Sequence, residues 1–369
     1  MRLRVLVADD SALMRKYMRE IIEEDPELEV VGTARDGEEA AALNLSLQPD
    51  VITMDINMPR LDGLTAIQYI MAQRPCPILV VSSLTQKGAL TTFEALELGA
   101  LDYVPKPDGT VSLQIKAVAE EIRAKIKAVA RAGKSLKKRG SGPAPGLPGA
   151  KAEKISPLLR AKPLEKPLEK IPAKKSKGGE KLVLIGVSTG GPQTLLEILP
   201  FLPADFPAPV VVVQHMPPNF TRPFAERLNQ NCALAVRESE EGMPLLPGLV
   251  VVAKGGVHLR LDKRPGEIFC RVRHSVRPAE ALYKPSVDLA MRSALSYFDP
   301  RQLVAVLLTG MGDDGADALV EIKNAGGLTI AEAEETAVIW GMPGEAVKRG
   351  GASLVLPSYA VARALVEAV

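Results

Sequence analysis

Short apolar runs alternate with amphipathic stretches along most of this 369-residue chain, and the alternation breaks once. Before the break, Val5-Leu6-Val7-Ala8, Val30-Val31-Gly32, Val51-Ile52-Thr53-Met54, Ile78-Leu79-Val80-Val81 and Leu101-Asp102-Tyr103-Val104 read as five buried strands. Ala12 to Glu23, Glu38 to Leu47, Leu64 to Gln73, Ala89 to Leu98 and Leu113 to Ala130 carry apolar residues at helical spacing. Strict alternation predicts a parallel sheet with helices on both faces, and such a sheet places function at the carboxyl ends of its strands. After the break the pattern resumes. Strands are expected at Leu182 to Val187, Val210 to Gln214, Val250 to Ala253, Leu303 to Thr309, Leu328 to Ala331 and Ser353 to Leu356. Helices are expected at Thr194 to Leu199, Thr221 to Leu228, Val287 to Ser296, Ala316 to Ala325 and Gly344 to Arg349. Between Arg260 and Pro278 the pattern weakens, and Leu259-Arg260-Leu261 with Ile268 to Val272 suits an antiparallel hairpin. The second body is therefore a doubly wound, mostly parallel α/β sheet with one excursion.

The break divides the chain into residues 1–131, a linker at 132–179 and residues 180–369. Gly140-Ser141-Gly142-Pro143-Ala144-Pro145-Gly146 and the repeat Lys162-Pro163-Leu164-Glu165, Lys166-Pro167-Leu168-Glu169 admit neither a helix nor a central strand. Lys134 to Gly179 holds 13 Lys or Arg against 3 Glu, so the net charge of +2 hides a basic segment between two mildly acidic bodies. Without interleaved aromatics or a basic folded face, nucleic-acid binding is not expected. The three cysteines, Cys76, Cys232 and Cys270, form no Cys-x-x-Cys pair, which argues against a disulfide framework or a thiolate metal site. No signal-peptide pattern and no apolar run of membrane-spanning length stands out, so a cytoplasmic protein is expected, and a monomer.

The strand ends change the picture. Asp9 and Asp10 follow the first strand, Asp55 ends the third, Ser82 ends the fourth and Lys106 follows the fifth. Three carboxylates on one edge suit a hard cation such as Mg²⁺, and a lysine with a hydroxyl suits phosphoryl oxygens. These residues, with Met54-Asp55-Ile56-Asn57-Met58-Pro59, Asp62-Gly63 and Lys106-Pro107, resemble a response-regulator receiver domain of flavodoxin-like fold over the first 110 residues or so. The resemblance implies that Asp55 accepts a phosphoryl group from a histidine kinase. It implies that Asp10, Asp55 and the Asn57 carbonyl hold Mg²⁺ with Asp9 in support, that Ser82 and Lys106 read the phosphorylated state, and that the Lys106-Pro107 bond is cis.

In the second body, Gly186-Val187-Ser188-Thr189-Gly190-Gly191-Pro192 follows an apolar run and precedes a helix. Its Gly-x-Ser-x-Gly spacing fits a nucleophile turn, and equally a Gly-rich turn in a nucleotide-binding fold whose serine caps the helix. Of only three histidines, His215 alone sits just beyond a clear core strand, and Asp313-Asp314 follow another. Parallel strands would bring serine, histidine and carboxylate to one sheet edge, as an acyl-transfer site requires. A phosphate loop is disfavoured because no Gly-Lys-Ser/Thr ending and no Gly-x-Gly-x-x-Gly spacing is present. A noncatalytic scaffold would not need all three side chains. Ile185 to Pro192, Gln214-His215-Met216-Pro217, Pro285-Ser286-Val287-Asp288 and Leu308 to Gly315 are similar to the CheB family of chemotaxis protein-glutamate methylesterases. That resemblance implies Ser188 as nucleophile, His215 as base and Asp314 as the orienting carboxylate, with Asp313 variable. Thr189 is expected to assist orientation, and N–H groups after Gly191 or near Met311 to form the oxyanion hole. It further implies receptor substrates, glutamine deamidation at the same sites, no cofactor for the esterase chemistry, and an unphosphorylated receiver that obstructs the esterase edge.

Overall fold

The central strands of both large sheets are covered on two faces, which is why their sequences are apolar runs rather than alternating patterns. The computed structural model describes residues 2–83, 85–106, 113–138, 181–264, 267–273 and 283–369. The first body contains β1 (Leu3–Ala8), α1 (Ala12–Glu23), β2 (Leu28–Ala34), α2 (Gly37–Leu47), β3 (Val51–Asp55), α3 (Gly63–Gln73), β4 (Ile78–Ser82), α4 (Gln86–Glu97), β5 (Asp102–Pro105) and α5 (Leu113–Lys138). Its strands pair in parallel in the order β2-β1-β3-β4-β5. Four helices start where a side chain caps the first turn: Ser11, Asp36, Asp62 and Thr85 each accept a backbone N–H three residues on. The last helix continues past Arg131 to Lys138, beyond the point where the sequence turns to Lys and Gly.

The second body contains β6 (Leu182–Val187), α6 (Gly191–Ile198), β7 (Val210–Gln214), α7 (Pro218–Asn231), β8 (Ala235–Glu238), β9 (Leu249–Val252), β10 (His258–Arg264), β11 (Glu267–Arg273), α8 (Val287–Leu295), β12 (Leu303–Leu307), α9 (Ala316–Asn324), β13 (Leu328–Glu332), α10 (Met342–Lys348), β14 (Leu354–Leu356) and α11 (Ser358–Ala368). Seven strands form one sheet in the order β14-β13-β12-β6-β7-β9-β8, with every neighbouring pair parallel. The excursion is the antiparallel pair β10-β11, with Leu261 opposite Cys270. Two elements were not expected from the pattern. Strand β8, Ala-Val-Arg-Glu, lies at the sheet edge and carries two charges in four residues. Helix α11 covers the opposite end of the sheet with Val361, Ala362 and Leu365.

One apolar cluster runs from the first sheet into the second. Phe93 of α4 meets Phe220 and Phe224 of α7, at 6.1 and 5.4 Å between ring centroids, and Tyr103 of β5 stacks on Phe220 at 4.8 Å. Around this aromatic contact, the Gln193 amide of α6 donates to Ala100 O at 3.1 Å and Arg227 Nε donates to Glu97 Oε1 at 3.0 Å. The receiver-like body thus rests on α6 and α7, the helices that leave the carboxyl ends of β6 and β7.

Candidate active site and phosphorylation site

The strand order makes β12, β6 and β7 direct neighbours, so their following loops share one edge. Val187 is in register with Gln214, which puts Ser188 beside His215 at adjacent strand ends. The nucleophile turn is tied down on both sides. Ser188 N–H donates to Thr309 O at 2.9 Å, and Ser188 O accepts from Gly191 N–H at 2.9 Å and from the Gln214 amide at 2.9 Å. Gly190 has φ +80°, and a Cβ there would lie 2.6 Å from Val338. A Cβ on Gly191 would strike the Gln214 carboxamide. Backbone conformation and close packing, rather than access for an ester, account for these two glycines.

His215 and Asp314 are brought together: imidazole Nε2 lies 2.8 Å from Asp314 Oδ2, and Nδ1 is buried with no partner among the described residues. Asp314 lies at the start of α8. Oδ2 also accepts Val287 N–H at 2.7 Å, while Oδ1 accepts Ser286 Oγ–H and Asp288 N–H at 3.0 Å each. Burial pushes this carboxyl up, but the His215 contact and the α8 N–H donors outweigh it and hold the group below its ordinary value. Asp313 turns the other way, to Arg349 Nη2 at 2.6 Å on the surface. Tyr283 lies flat on the His215 ring, 4.1 Å between centroids and 10° between planes.

At the expected oxyanion hole, Gly191 N–H is bonded to Ser188 O, Pro192 has no N–H, and Thr194 N–H is bonded to Gly190 O. Met311 follows Gly310, whose N–H and O bond to Ile339 and to Gly341 and Met342, so this loop is fixed as an extension of the sheet. Thr189 is buried, its Oγ1 has no partner among the described residues, and its carbonyl accepts from Thr309 Oγ1 at 2.9 Å. Gln214 and Ser286 lie in segments that carry the family resemblance but had no role assigned from the sequence, and neither Tyr283 nor the N–H groups of the α8 N-terminus were expected at the site. Ser286 carried a signal, since Ser-Val-Asp before an apolar stretch is a helix start; the others depend on contacts between distant segments.

In the first body, carboxylate oxygens of Asp9, Asp10 and Asp55 lie within 4.8 Å of one another. Lys106 Nζ is 2.9 Å from Asp9 and 2.8 Å from Asp55, and Asn57 N–H donates to Asp55 Oδ1 at 3.3 Å. Desolvation raises the Asp55 carboxyl against the pull of Lys106. One ammonium facing three carboxylates leaves negative charge and oxygen ligands together, a donor set that fits a divalent cation. Ser82 is buried, with its Oγ accepting from Thr92 Oγ1 of α4 at 2.8 Å. Pro107 is outside the described residues, so the expected cis bond is not described. No helix among the described residues is long and apolar enough to cross a membrane.

Two family models match this chain. Residues 183–365 match the CheB methylesterase family model, and residues 5–117 match the response regulator receiver domain model. A protein-glutamate methylesterase/protein-glutamine glutaminase of Carboxydothermus hydrogenoformans is 58% identical over 100% of this chain and 99% of its own length. One from Caldanaerobacter subterraneus subsp. tengcongensis is 50% identical over 100% and 97%. The crystal structure of the Thermotoga maritima CheB methylesterase catalytic domain is 43% identical, covering 52% of this chain and 99% of that one, at a TM-score of 0.49. With relatives of such identity along its whole length, the chain belongs to the CheB methylesterase family and carries a response regulator receiver domain ahead of its esterase domain.

Proposed function

We propose that this chain hydrolyses glutamate methyl esters on methyl-accepting chemotaxis receptors, and deamidates glutamines at the same sites, under control of Asp55 phosphorylation by a histidine kinase. The observation that carries the reading is the His215–Asp314 contact at 2.8 Å beside a serine on the next strand end. Ser188 Oγ attacks the ester carbonyl as its proton passes to the free imidazole nitrogen of His215. Asp314 holds the opposite N–H and stabilises the imidazolium. The C–OCH₃ bond then breaks, and methanol leaves with the proton from His215. Water, deprotonated by the same imidazole, cleaves the acyl-serine and returns the enzyme. An amide enters the same sequence and releases ammonia. Thr189 and the N–H of Met311 are our candidates for the oxyanion donors, a contribution of about 3 kcal/mol each.

Asp10, Asp55 and the Asn57 carbonyl would hold Mg²⁺, with Asp9 in support; when bound, the ion supplies charge neutralisation for phosphoryl transfer. Ser82 and Lys106 respond to the phosphorylated state. The receiver contact on α6 and α7 supports a resting form in which the esterase edge is obstructed. The decisive measurement is methanol release from methylated receptor by wild-type and Ser188→Ala protein. Release by the variant is expected to fall by a factor of roughly 10³ or more; equal release would end the serine-esterase reading.

A further inference from the structure

Glu332 ends β13, has no solvent exposure, and takes no part in the mechanism above. Its Oε2 accepts Thr309 N–H at 2.7 Å and its Oε1 accepts Thr336 Oγ1–H at 2.9 Å. Thr309 is the residue against which the nucleophile turn is built. Its carbonyl receives Ser188 N–H at 2.9 Å, and its hydroxyl donates to Thr189 O and accepts Ile339 N–H, both at 2.9 Å. The Glu332 carbonyl also accepts the Trp340 indole N–H at 2.8 Å, fixing the segment that bonds to Gly310. A second line of bonds leaves Thr336: its Oγ1 accepts Ser358 N–H at 2.9 Å, and Ser358 Oγ donates to Glu197 Oε2 of α6 at 3.1 Å. We infer that Glu332 is a positioning residue for the nucleophile, its carboxyl group holding Thr309 and thereby the Ser188–Thr189 peptide in the reactive place.

The inference rests on Ser188 as nucleophile and adds a group that touches neither substrate nor reacting atoms. A buried carboxyl is costly unless its oxygens are bonded, and here both oxygens face donors in a network that ends at the catalytic turn. Its partners Thr309, Thr336 and Trp340 are neutral, and the charged group facing it is Glu197. Glu335 bonds outward to Tyr359. On the neighbouring α9 and α10, Asp317 and Glu345 engage Arg349, Glu321 engages Arg292, Lys348 engages Glu345, and Lys323 bonds Gly350 O and Ala352 O. Burial, with Glu197 adding to it, pushes the Glu332 carboxyl up to about 7. The group therefore changes charge near neutrality. Ionised, it accepts Thr309 N–H as a charge-assisted bond; protonated, it holds that N–H more weakly.

The test measures methanol release by the full chain between about pH 5 and about pH 9, for wild type, Glu332→Ala, Glu332→Gln, Thr336→Val and Ser188→Ala. In Glu332→Ala, kcat is expected to fall about 10- to 100-fold with KM little changed, the pattern of a displaced reacting group. Glu332→Gln retains an acceptor for Thr309 N–H and is expected to recover most of that loss. Its acid limb should fit one titrating group where wild type needs two. Thr336→Val leaves Thr309 untouched and removes a donor to the carboxylate, so its second titration should move to higher pH. This variant keeps the test decisive should Glu332→Ala fail to fold. Wild-type kcat in Glu332→Ala, a Glu332→Gln as slow as the alanine, or unshifted profiles in both Glu332→Gln and Thr336→Val would overturn the inference. Ser188→Ala separates the two claims: if it is inactive, those outcomes bear on Glu332 alone; if it is active, both readings fall.

Discussion

Two carboxyls of the esterase domain, the part-buried Asp314 and the fully buried Glu332, shift in opposite directions, and the difference lies in their donors. Asp314 accepts four hydrogen bonds, from His215, Ser286, Val287 and Asp288, which fill both oxygens and favour the ionised form. Glu332 accepts two and is more deeply enclosed, so burial prevails. The pH dependence of stability follows by sign. Asp314 lies below its ordinary value, so its contribution is present above that value and is lost as pH falls through the folded-state value. Glu332, raised to about 7 from 4.5, contributes fully below its ordinary value and loses that contribution as pH rises through about 7. Urea unfolding at acid and mildly alkaline pH should show it. Glu332→Gln is expected to gain on wild type between the two conditions by up to about 3 kcal/mol. Asp314→Asn is expected to be destabilised near neutrality and to lose the fall seen in acid. A Glu332→Gln difference that stays constant with pH would place the titration elsewhere.

At the scale of elements, α7 joins regulation to chemistry. It begins just after His215-Met216-Pro217, and its Phe220 and Phe224 form the aromatic contact with Phe93 and Tyr103 of the receiver. Phe93→Ala removes ring contacts worth about 0.5–1.5 kcal/mol beyond area burial. It is expected to raise the esterase rate of unphosphorylated protein several-fold, by a corresponding loosening of the domain contact. An unchanged resting rate in a folded variant would show that this contact does not obstruct the site. Helices and strands of the core were legible in the sequence because both faces of each sheet are covered, so Val210 to Gln214 and Leu303 to Leu307 announce themselves. Ala235–Glu238 did not, since an edge strand needs only one buried face and Val236 is its sole large apolar residue. Ser188, His215 and a carboxylate at Asp313 or Asp314 stood at strand ends in the sequence; the family resemblance pointed to Asp314, and it is Asp314 that meets His215. The cradle for Asp314 was not legible, because the distance between Ser286 and Asp314 is closed by folding alone. Glu332 lies one residue past the expected strand Leu328 to Ala331; only the enclosure contributed by α6, α11 and the Thr309 loop gives it a role.

Across the whole molecule, two sheet edges of different chemistry are joined through the packing of α4 on α7. The acidic cluster of Asp9, Asp10 and Asp55 lies at the first edge, only partly offset by Lys106. From β4, Ser82 bonds to Thr92 of α4, and the next residue, Phe93, enters the aromatic contact with α7. A phosphoryl group on Asp55 adds negative charge where Lys106 and a divalent cation converge, and any movement of Ser82 toward it withdraws an acceptor from Thr92. Under the proposed function, charge at the first edge would thereby be converted into a displacement of α4, which packs on α6 and α7. The cation belongs to the first edge in this scheme, whereas the second uses serine, imidazole and carboxylate. Chelation of divalent ions should therefore abolish the rise in methanol release caused by a small phosphodonor and leave the resting rate unchanged. Asp55→Ala should match the chelated protein with or without added Mg²⁺. Stimulation surviving in either case would mean that the phosphodonor acts through a group other than Asp55, and the route through Ser82, Thr92 and α4 would have to be abandoned.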